Sequence, residues 1–223
     1  MTAREPLRLA ILISGRGSNM QAVARACRDR RINAAVSVVI SDRDGAGGLA
    51  VAQELGLQTA VVAWKSFADA TAAERALGEQ IEAHRAEIIV LAGFMRVLSP
   101  QFADRYAGRL INIHPALLPR FRGLHTHSRA LEAGETEHGA SVHFATAELD
   151  GGPVVLQSRI AIRPAETEAD LAARVLATEH VILPRVLGWL AEGRLAWREG
   201  KGWLDGKPLD APLVEDFPSV AGA

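Results

Sequence analysis

Several features are scarce in this 223-residue sequence, and each scarcity excludes a class of protein. The single cysteine, Cys27, excludes an intrachain disulfide framework and a cysteine-based zinc site. A formal net charge of −1 provides no overall field that would favour nucleic acid or an anionic membrane. No run reaches the ~20 apolar residues that a membrane span needs. We therefore expect a soluble cytoplasmic protein with no membrane and no nucleic-acid partner, in which recognition of any anion is local.

The remaining composition is that of an ordinary globular protein, with 48% hydrophobic and 23% charged residues. In the first half, short β-branched runs alternate with longer alanine-rich segments. Strands are predicted at 7–14, 34–41, 59–64, 87–93 and 109–114, and helices at 19–30, 49–55 and 67–85. Several of the strand runs are apolar on both faces. This pattern indicates an α/β fold with a mostly parallel, Rossmann-like central sheet and helices on both faces.

The second half of the chain changes character. Extended runs at 139–149 and 152–162 flank the turn Asp150-Gly151-Gly152, which predicts a hairpin-like antiparallel C-terminal addition to the sheet. Helical periodicity returns at 167–190, where Pro184 is able to kink or divide the helix. We expect one domain over residues 1–223, with a poorly ordered tail at about 206–223.

The turn SGRGSN, residues 14–19, joins the first predicted strand to the first predicted helix. Gly15 and Gly17 allow a tight turn, while Ser18 and Asn19 can cap the helix or donate to an anion. A dinucleotide fingerprint needs a third glycine where Met20 stands. The turn is therefore either a phosphate site or a capped strand–helix turn without a ligand.

Two further polar clusters are expected at the carboxyl edge of the sheet, where open α/β sheets bind ligands. Asn112 and His114 lie two apart at the end of a predicted strand, so their side chains point to the same face. An amide donor and a titratable imidazole form a plausible pair for acyl transfer, although such a pair can also be structural. Asp150 is either a turn residue or, if its loop folds back, a carboxylate that orients His114.

Five stretches then occur together in one order, namely SGRGSNMQA (14–22), VLAGFMRVLSP (90–100), GRLINIHPALLPRFRGLHTHSRALEAG (108–134), EHGASVHF (137–144) and ELDGGPVVLQ (148–157). In these motifs the chain resembles the folate-dependent phosphoribosylglycinamide formyltransferases, from about Leu9 to about Leu204. The resemblance implies the formyltransferase fold and transfer of a formyl group from 10-formyltetrahydrofolate to the amine of glycinamide ribonucleotide, in de novo purine biosynthesis. It implies no metal, and a homodimer is one assembly compatible with it.

The resemblance also implies roles for individual residues. Asn112, His114 and Asp150 would be catalytic. The ribonucleotide would be bound by Gly17, Ser18, Asn19, Pro115 and Glu179, the first three around its phosphate. The folate would be bound by Leu91, Phe94, Met95, Arg96, Val97, Leu98, Leu110 and Asn112. One departure is Ala70, where some relatives have an arginine that reaches the folate's glutamate tail; Arg75 is a candidate substitute.

Other histidines and other functions are weaker candidates. His125 and His127 are expected to be structural or to line a pocket, His143 to support the catalytic group, and His138 to lie on the surface.

A transferase acting on methionyl-tRNA would need an added RNA-binding domain, and a formyltetrahydrofolate deformylase would use water as the acceptor. A dinucleotide oxidoreductase would need an acidic ribose ligand after the second strand, near which stand Asp42 and Asp44.

Overall fold

Eleven strands in two sheets form the framework of the chain in a computed structural model that describes residues 5–218. The strands of the larger sheet are β1 (Leu7–Ile13), β2 (Ala34–Ser41), β3 (Thr59–Val61), β4 (Ile88–Leu91), β5 (Leu110–His114), β6 (Glu137–Phe144), β7 (Val154–Ala161) and β11 (Leu213–Asp216). The smaller sheet consists of β8 (Leu195–Arg198), β9 (Lys201–Leu204) and β10 (Lys207–Pro208).

The larger sheet has the strand order β11-β7-β6-β5-β4-β1-β2-β3. Its pairs are parallel from β3 to β5 and again between β7 and β11, whereas β6 runs antiparallel to both of its neighbours. The predicted fold, a mostly parallel sheet with an antiparallel addition, is confirmed. In the β5–β6 register Asn112 lies opposite His143, so the reversed strand brings a histidine beside a candidate catalytic amide.

Six α-helices accompany the strands within the described residues: α1 (Ser18–Arg28), α2 (Gly47–Glu54), α3 (Ala70–Ala83), α4 (Pro100–Arg105), α5 (Thr126–Glu132) and α6 (Glu168–Glu192). The start of α3 is later than predicted because Asp69 caps it, its side chain accepting the N–H of Ala72. Pro184 lies inside α6, which remains one helix of 25 residues. None of the helices in the described part of the chain is long and apolar enough to cross a membrane.

Alternate residues of β1 pack into two separate cores, one on each face of the sheet. Leu9, Ile11 and Ile13 belong to a core that includes residues of α1 and α6. Ala10 and Leu12 belong to a second core with residues of α3 and α4. Burial on both faces is what the apolar runs of the sequence predict, and it leaves the strand ends as the place for polar side chains.

The C-terminal segment differs from expectation over the residues that the structure describes. Residues 207–208 and 213–216, within the predicted poorly ordered tail, form β10 and β11. Side-chain hydrogen bonds attach β11 to the sheet, since Arg159 Nε donates to Asp216 Oδ1 at 2.7 Å. Residues 219–223 of that predicted tail lie outside the described residues.

Candidate active site

A cavity of about 530 Å³ opens at the carboxyl edge of the parallel strands. It is lined by Asn19, Gly93, Phe94, Met95, Arg96, Val97, Asn112, Ile113, His114, Pro115, Gly123, Leu124, His125, Thr126, His127, Leu149, Asp150, Glu168 and Glu179. A smaller cavity of about 100 Å³ adjoins it and shares Phe94, Arg96, Val97, Asn112, Leu149 and Asp150. Residues that are distant in sequence, from α1 to α6, therefore meet in one concave site.

Asp150 is the centre of the polar contacts in this site. Its Oδ2 accepts the backbone N–H of Gly123 at 2.9 Å and lies 3.5 Å from His114 Nδ1. Its Oδ1 accepts an N–H of Asn112 Nδ2 at 3.3 Å. The loop between β6 and β7 thus folds back over β5, and the contact between Asp150 and His114 that spacing alone could not establish is present.

His114 has an acceptor at each ring nitrogen. Besides Asp150 at Nδ1, the backbone carbonyl oxygen of Phe121 lies 2.9 Å from Nε2. A neutral imidazole has only one N–H and can satisfy one of these acceptors, whereas an imidazolium satisfies both. These two contacts fix the orientation of this buried ring, with Nδ1 toward Asp150 and Nε2 toward the carbonyl of Phe121.

Asn112 is oriented by His143, the residue opposite it in the sheet. His143 Nδ1 lies 2.9 Å from the carbonyl oxygen of Phe144, which fixes the ring proton on Nδ1 and leaves Nε2 as an acceptor. Asn112 Nδ2 donates to that Nε2 at 3.0 Å. Burial lowers the pKa of His143 to about 4, so the ring stays neutral near pH 7. His143 Nε2 and Asp150 Oδ1 are both hydrogen-bond acceptors, so the nitrogen of the Asn112 amide, and not its oxygen, points toward them.

The turn formed by residues 14–19 leads into the N-terminus of α1. Gly17 occupies the N-cap position of α1 with φ 73°, and no side chain caps the helix there. A Cβ on Gly17 would lie 3.0 Å from Gly48 Cα, so the turn also needs glycine for close packing. Met20, at the position of the missing third glycine, is fully buried in the core. The first backbone N–H groups of α1 therefore remain available to an anion.

Asn19 connects this turn to α6. Its Nδ2 donates to Glu179 Oε2 at 2.6 Å, and its buried Oδ1 has no hydrogen-bond partner. Burial raises the pKa of Glu179, and the bond from Asn19 offsets part of that rise. Both side chains line the larger cavity, as does Pro115. Gly17 and Ser18 precede Asn19 in the chain but line neither cavity.

The residues expected to bind folate lie around the two cavities. Leu91, Phe94, Arg96, Val97, Leu98, Leu110 and Asn112 line the smaller cavity, and Met95 lines the larger one. Met95 and Val97 are 58% and 71% exposed, and the exposed Leu124 and Leu149 face them from two other loops. Large apolar side chains are thus displayed around a cavity, the usual surroundings of a flat aromatic ligand.

The expectation that His138 lies on the surface is wrong. His138 is buried rather than exposed: its Nε2 lies 3.1 Å from His127 Nδ1, and burial lowers its pKa to about 4. His125 and His127 line the larger cavity, which is one of the two roles expected for them. Ala70 and Arg75 line neither cavity. Within residues 5–218 no group of three or more His, Cys, Asp or Glu side chains is placed to hold a metal ion.

The dinucleotide alternative loses Asp42, the first of its two candidate acidic ligands. Asp42 follows β2, where such folds carry the carboxylate that binds ribose. Here its side chain is fully buried, and its Oδ2 accepts Arg96 Nε at 2.6 Å. A carboxylate that is turned inward and paired with an arginine has no free face for a ribose hydroxyl.

Sequence reasoning missed two backbone groups of the site, the carbonyl of Phe121 and the N–H of Gly123. They belong to the segment that follows Pro119, in which Phe121 has φ 54° and His125 has φ 57°. Arg129 supports this segment from α5, where its Nη1 donates to the carbonyl of Arg122 at 2.7 Å. Backbone groups carry no residue signature, although Pro119 and Gly123 indicate that the chain turns here.

Comparisons with known proteins agree with this geometry. The sequence is 47% identical over 203 residues to phosphoribosylglycinamide formyltransferase of Escherichia coli (strain K12), covering 91% of this chain and 96% of that protein. It is 37% identical over 190 residues to the human trifunctional purine biosynthetic protein adenosine-3, covering 85% of this chain and 19% of that protein. The structure is similar to that of the phosphoribosylglycinamide formyltransferase from Coxiella burnetii, with a TM-score of 0.90 and 45% identity over 94% of this chain and 99% of that one. A sequence model described as formyl transferase matches residues 7–187. The chain belongs to the formyl transferase family.

Proposed function

We propose that this protein transfers the formyl group of 10-formyltetrahydrofolate to the primary amine of glycinamide ribonucleotide, giving formylglycinamide ribonucleotide and tetrahydrofolate in purine biosynthesis. The observation that carries the proposal is the composition of one cavity. Asn112, His114 and Asp150 line it together with Asn19, which stands at an uncapped helix N-terminus. A group suited to acyl transfer and a group suited to a phosphate thus open into the same space, which is what a phosphorylated amine acceptor requires.

The acceptor is held at the end of the cavity formed by α1 and α6. The backbone N–H groups after Gly17 and the side chains of Ser18 and Asn19 bind its single phosphate, with support from the positive end of the helix dipole. Glu179, buried beside Asn19, accepts hydrogen bonds from the sugar-phosphate portion. Pro115 closes the cavity next to His114.

The donor is held on the apolar side of the site. The segment from Phe94 to Leu98 supplies backbone groups for the edge of the pterin and apolar side chains for its faces, with Leu91 and Leu110 beneath. Asn112 lines both cavities. It therefore stands where the two substrates meet, which is the place for a group that acts on the transferred carbon.

The chemistry proceeds by attack of the amine on the formyl carbon, and negative charge develops on the formyl oxygen. Asn112 Nδ2 gives up its longer hydrogen bond, the one to Asp150, and donates that N–H to the formyl oxygen. Its other N–H stays bound to His143. The Nε2–H of protonated His114 is held by the Phe121 carbonyl until a substrate oxygen or nitrogen competes for it. Each well-placed donor is worth ~3 kcal/mol of barrier.

Asp150 orients His114 during this step. Its Oδ2 faces Nδ1 at 3.5 Å, and the N–H of Gly123 fixes that oxygen. As the bond between the formyl carbon and the folate nitrogen breaks, His114 delivers a proton to that nitrogen, and the proton of the attacking amine passes to His114 and restores the imidazolium. The roles of acid and orienting carboxylate are the ordinary ones for a histidine–aspartate pair.

The test is a formyl-transfer assay on the purified chain. We expect tetrahydrofolate and formylated ribonucleotide to appear in equal amounts when both substrates are present, and no turnover of the donor without the ribonucleotide. His114→Ala should lower kcat by ~10²-fold or more. His84→Ala is the matched control, because His84 is only half-buried and lines neither active-site cavity. Donor turnover that does not need the ribonucleotide would identify a deformylase instead.

A further inference from the structure

Asp42 is a buried carboxylate next to the site for which the proposed mechanism has no use. It follows β2, its side chain is completely shielded from solvent, and both of its oxygens are engaged. Oδ2 accepts Arg96 Nε at 2.6 Å, and Oδ1 lies 3.4 Å from Arg43 Nε. A buried carboxylate is costly unless it is paired and hydrogen-bonded, and Asp42 is paired with two arginines.

A second connection runs through Ser14, at the end of β1. The side chain of Ser14 lies close enough to the Asp42 carboxylate to lower its pKa, and its hydroxyl accepts the backbone N–H of Met95 at 2.8 Å. The backbone N–H of Ser14 donates to the carbonyl of Gly93 at 3.1 Å. The ends of β1 and β2 thus hold the segment after β4 through the backbone at residues 93 and 95, as well as through the side chain of Arg96.

The outer side of Arg96 is also fixed. Its guanidinium lies 5.9 Å from the ring centroid of Trp64, and the Trp64 ring meets the Phe94 ring edge-on at 5.9 Å. Arg96 is therefore held between a carboxylate and an aromatic ring, with limited exposure of its side chain. This arrangement fixes the two residues on either side of Met95, and all three line the cavity.

We infer that Asp42 is a positioning residue for the formyl donor: through Arg96 and Ser14 it holds the segment 94–98 in the conformation that binds the folate. The inference rests on the proposed function, because that segment is assigned to the folate there. Asp42 touches neither substrate in this arrangement, since it lines neither cavity. Its effect is therefore expected on donor affinity and not on the acceptor or on the chemical step.

The electrostatics agree with a permanently charged group. Burial alone would raise the pKa of Asp42, but the hydrogen bonds from Ser14, Arg96 and Arg43 outweigh it and hold the pKa below its usual value. Replacing the carboxylate by an amide leaves the partly buried guanidinium of Arg96 without its anion. Loss of one charge-assisted hydrogen bond of this kind corresponds to a factor of about ten or more in an equilibrium constant.

The experiment compares Asp42→Asn with Asp44→Asn in the formyl-transfer assay. Asp44 is the matched control because it lies two residues further along the same turn and is exposed. For Asp42→Asn we expect the KM for the formyl donor to rise about tenfold, with kcat and the KM for the ribonucleotide within about twofold of the parent. Asp44→Asn should leave all three unchanged. Ser14→Ala should raise the donor KM in the same direction by a smaller factor.

A double-mutant cycle separates this role from a general structural one. If Asp42 acts through Arg96, then Asp42→Asn combined with Arg96→Gln should raise the donor KM by less than the product of the two single effects. An unchanged donor KM in folded Asp42→Asn, equal rises for both substrates, or independent effects in the cycle would overturn the inference. If Asp42→Asn does not fold, an unchanged donor KM in Ser14→Ala overturns it. An inactive parent protein would refute the proposed function and this inference together, whereas an active parent with an unchanged donor KM in the variants refutes this inference alone.

Discussion

Asp150→Asn is the substitution for which the structure gives the sharpest expectation, because the change is isosteric and the surroundings cannot accept it. Gly123 N–H donates to one carboxylate oxygen and Asn112 Nδ2 donates to the other. An asparagine side chain has one oxygen and one NH₂ group. Whichever way the amide is turned, its NH₂ faces a donor, and one of the two hydrogen bonds is lost.

The magnitude follows from the contacts that are lost. The imidazolium of His114 loses an anion at 3.5 Å, and a hydrogen bond to a charged group is worth ~1.5–3 kcal/mol. The donor that is left unsatisfied in a buried site costs a further ~1–3 kcal/mol. Together these costs amount to ~2.5–6 kcal/mol, which corresponds to a fall in kcat of ~10²–10⁴-fold if they act on the barrier.

The assay is steady-state formyl transfer with both substrates saturating. Asp104→Asn is the control, because it makes the same chemical change at an exposed position on α4. The KM for glycinamide ribonucleotide should stay near the parent value, since the phosphate is held at α1. A kcat within tenfold of the parent, in a variant that still unfolds cooperatively, would refute the reasoning that the carboxylate organises this site.

Three further predictions concern other parts of the molecule. Gly17→Ala should raise the KM for glycinamide ribonucleotide about tenfold and leave the donor KM unchanged. The reason is that Gly17 has φ 73° and the new Cβ would lie 3.0 Å from Gly48 Cα. Equal changes in both KM values would count against an anion site at this turn. Arg129→Ala removes the donor to two backbone carbonyls of the loop that carries Gly123, so amide exchange at Gly123 should accelerate and kcat should fall, and unchanged exchange would contradict that support. Burial lowers the pKa of His138 from 6.5 to about 4, so the unfolded state binds the proton first and the free energy of unfolding falls as pH drops through that interval. His138→Gln should make the total decrease in the free energy of unfolding smaller by ~3 kcal/mol, as measured by urea titrations at a series of pH values. Parallel curves of unfolding free energy against pH for the two proteins would argue against this.

The sheet and the polar strand ends were predictable because their signals are local. Apolar runs with turns between them specify β1 to β5, and parallel strands bring their carboxyl ends to one edge. Asn112 and His114 could therefore be placed at that edge from spacing alone. Gly17 and the turn after it could be placed there for the same reason.

The contacts that complete the site were not predictable in this way, because they join segments far apart in the chain. The alternating pattern around His138 resembles that of a half-exposed strand, yet the loop with Phe121 and the start of α5 cover this residue. Asp42 carries the signal of a ribose ligand, and only the position of Arg96 reveals that its carboxylate is turned inward. The short elements α4, α5 and β8 to β11 lack enough residues for a clear period.

The support for the catalytic histidine and aspartate has a consequence for how the protein tolerates mutation. The partners of His114 Nε2 and of Asp150 Oδ2 in the loop are the carbonyl of Phe121 and the N–H of Gly123, both from the main chain. A main-chain group survives replacement of its own side chain, provided that the backbone can keep its dihedral angles. Side-chain identity in this loop can therefore drift without loss of these two bonds, whereas insertion or deletion of a single residue would remove both. A library of single substitutions across 119–124 should accordingly retain activity far more often than a library of single-residue deletions over the same segment.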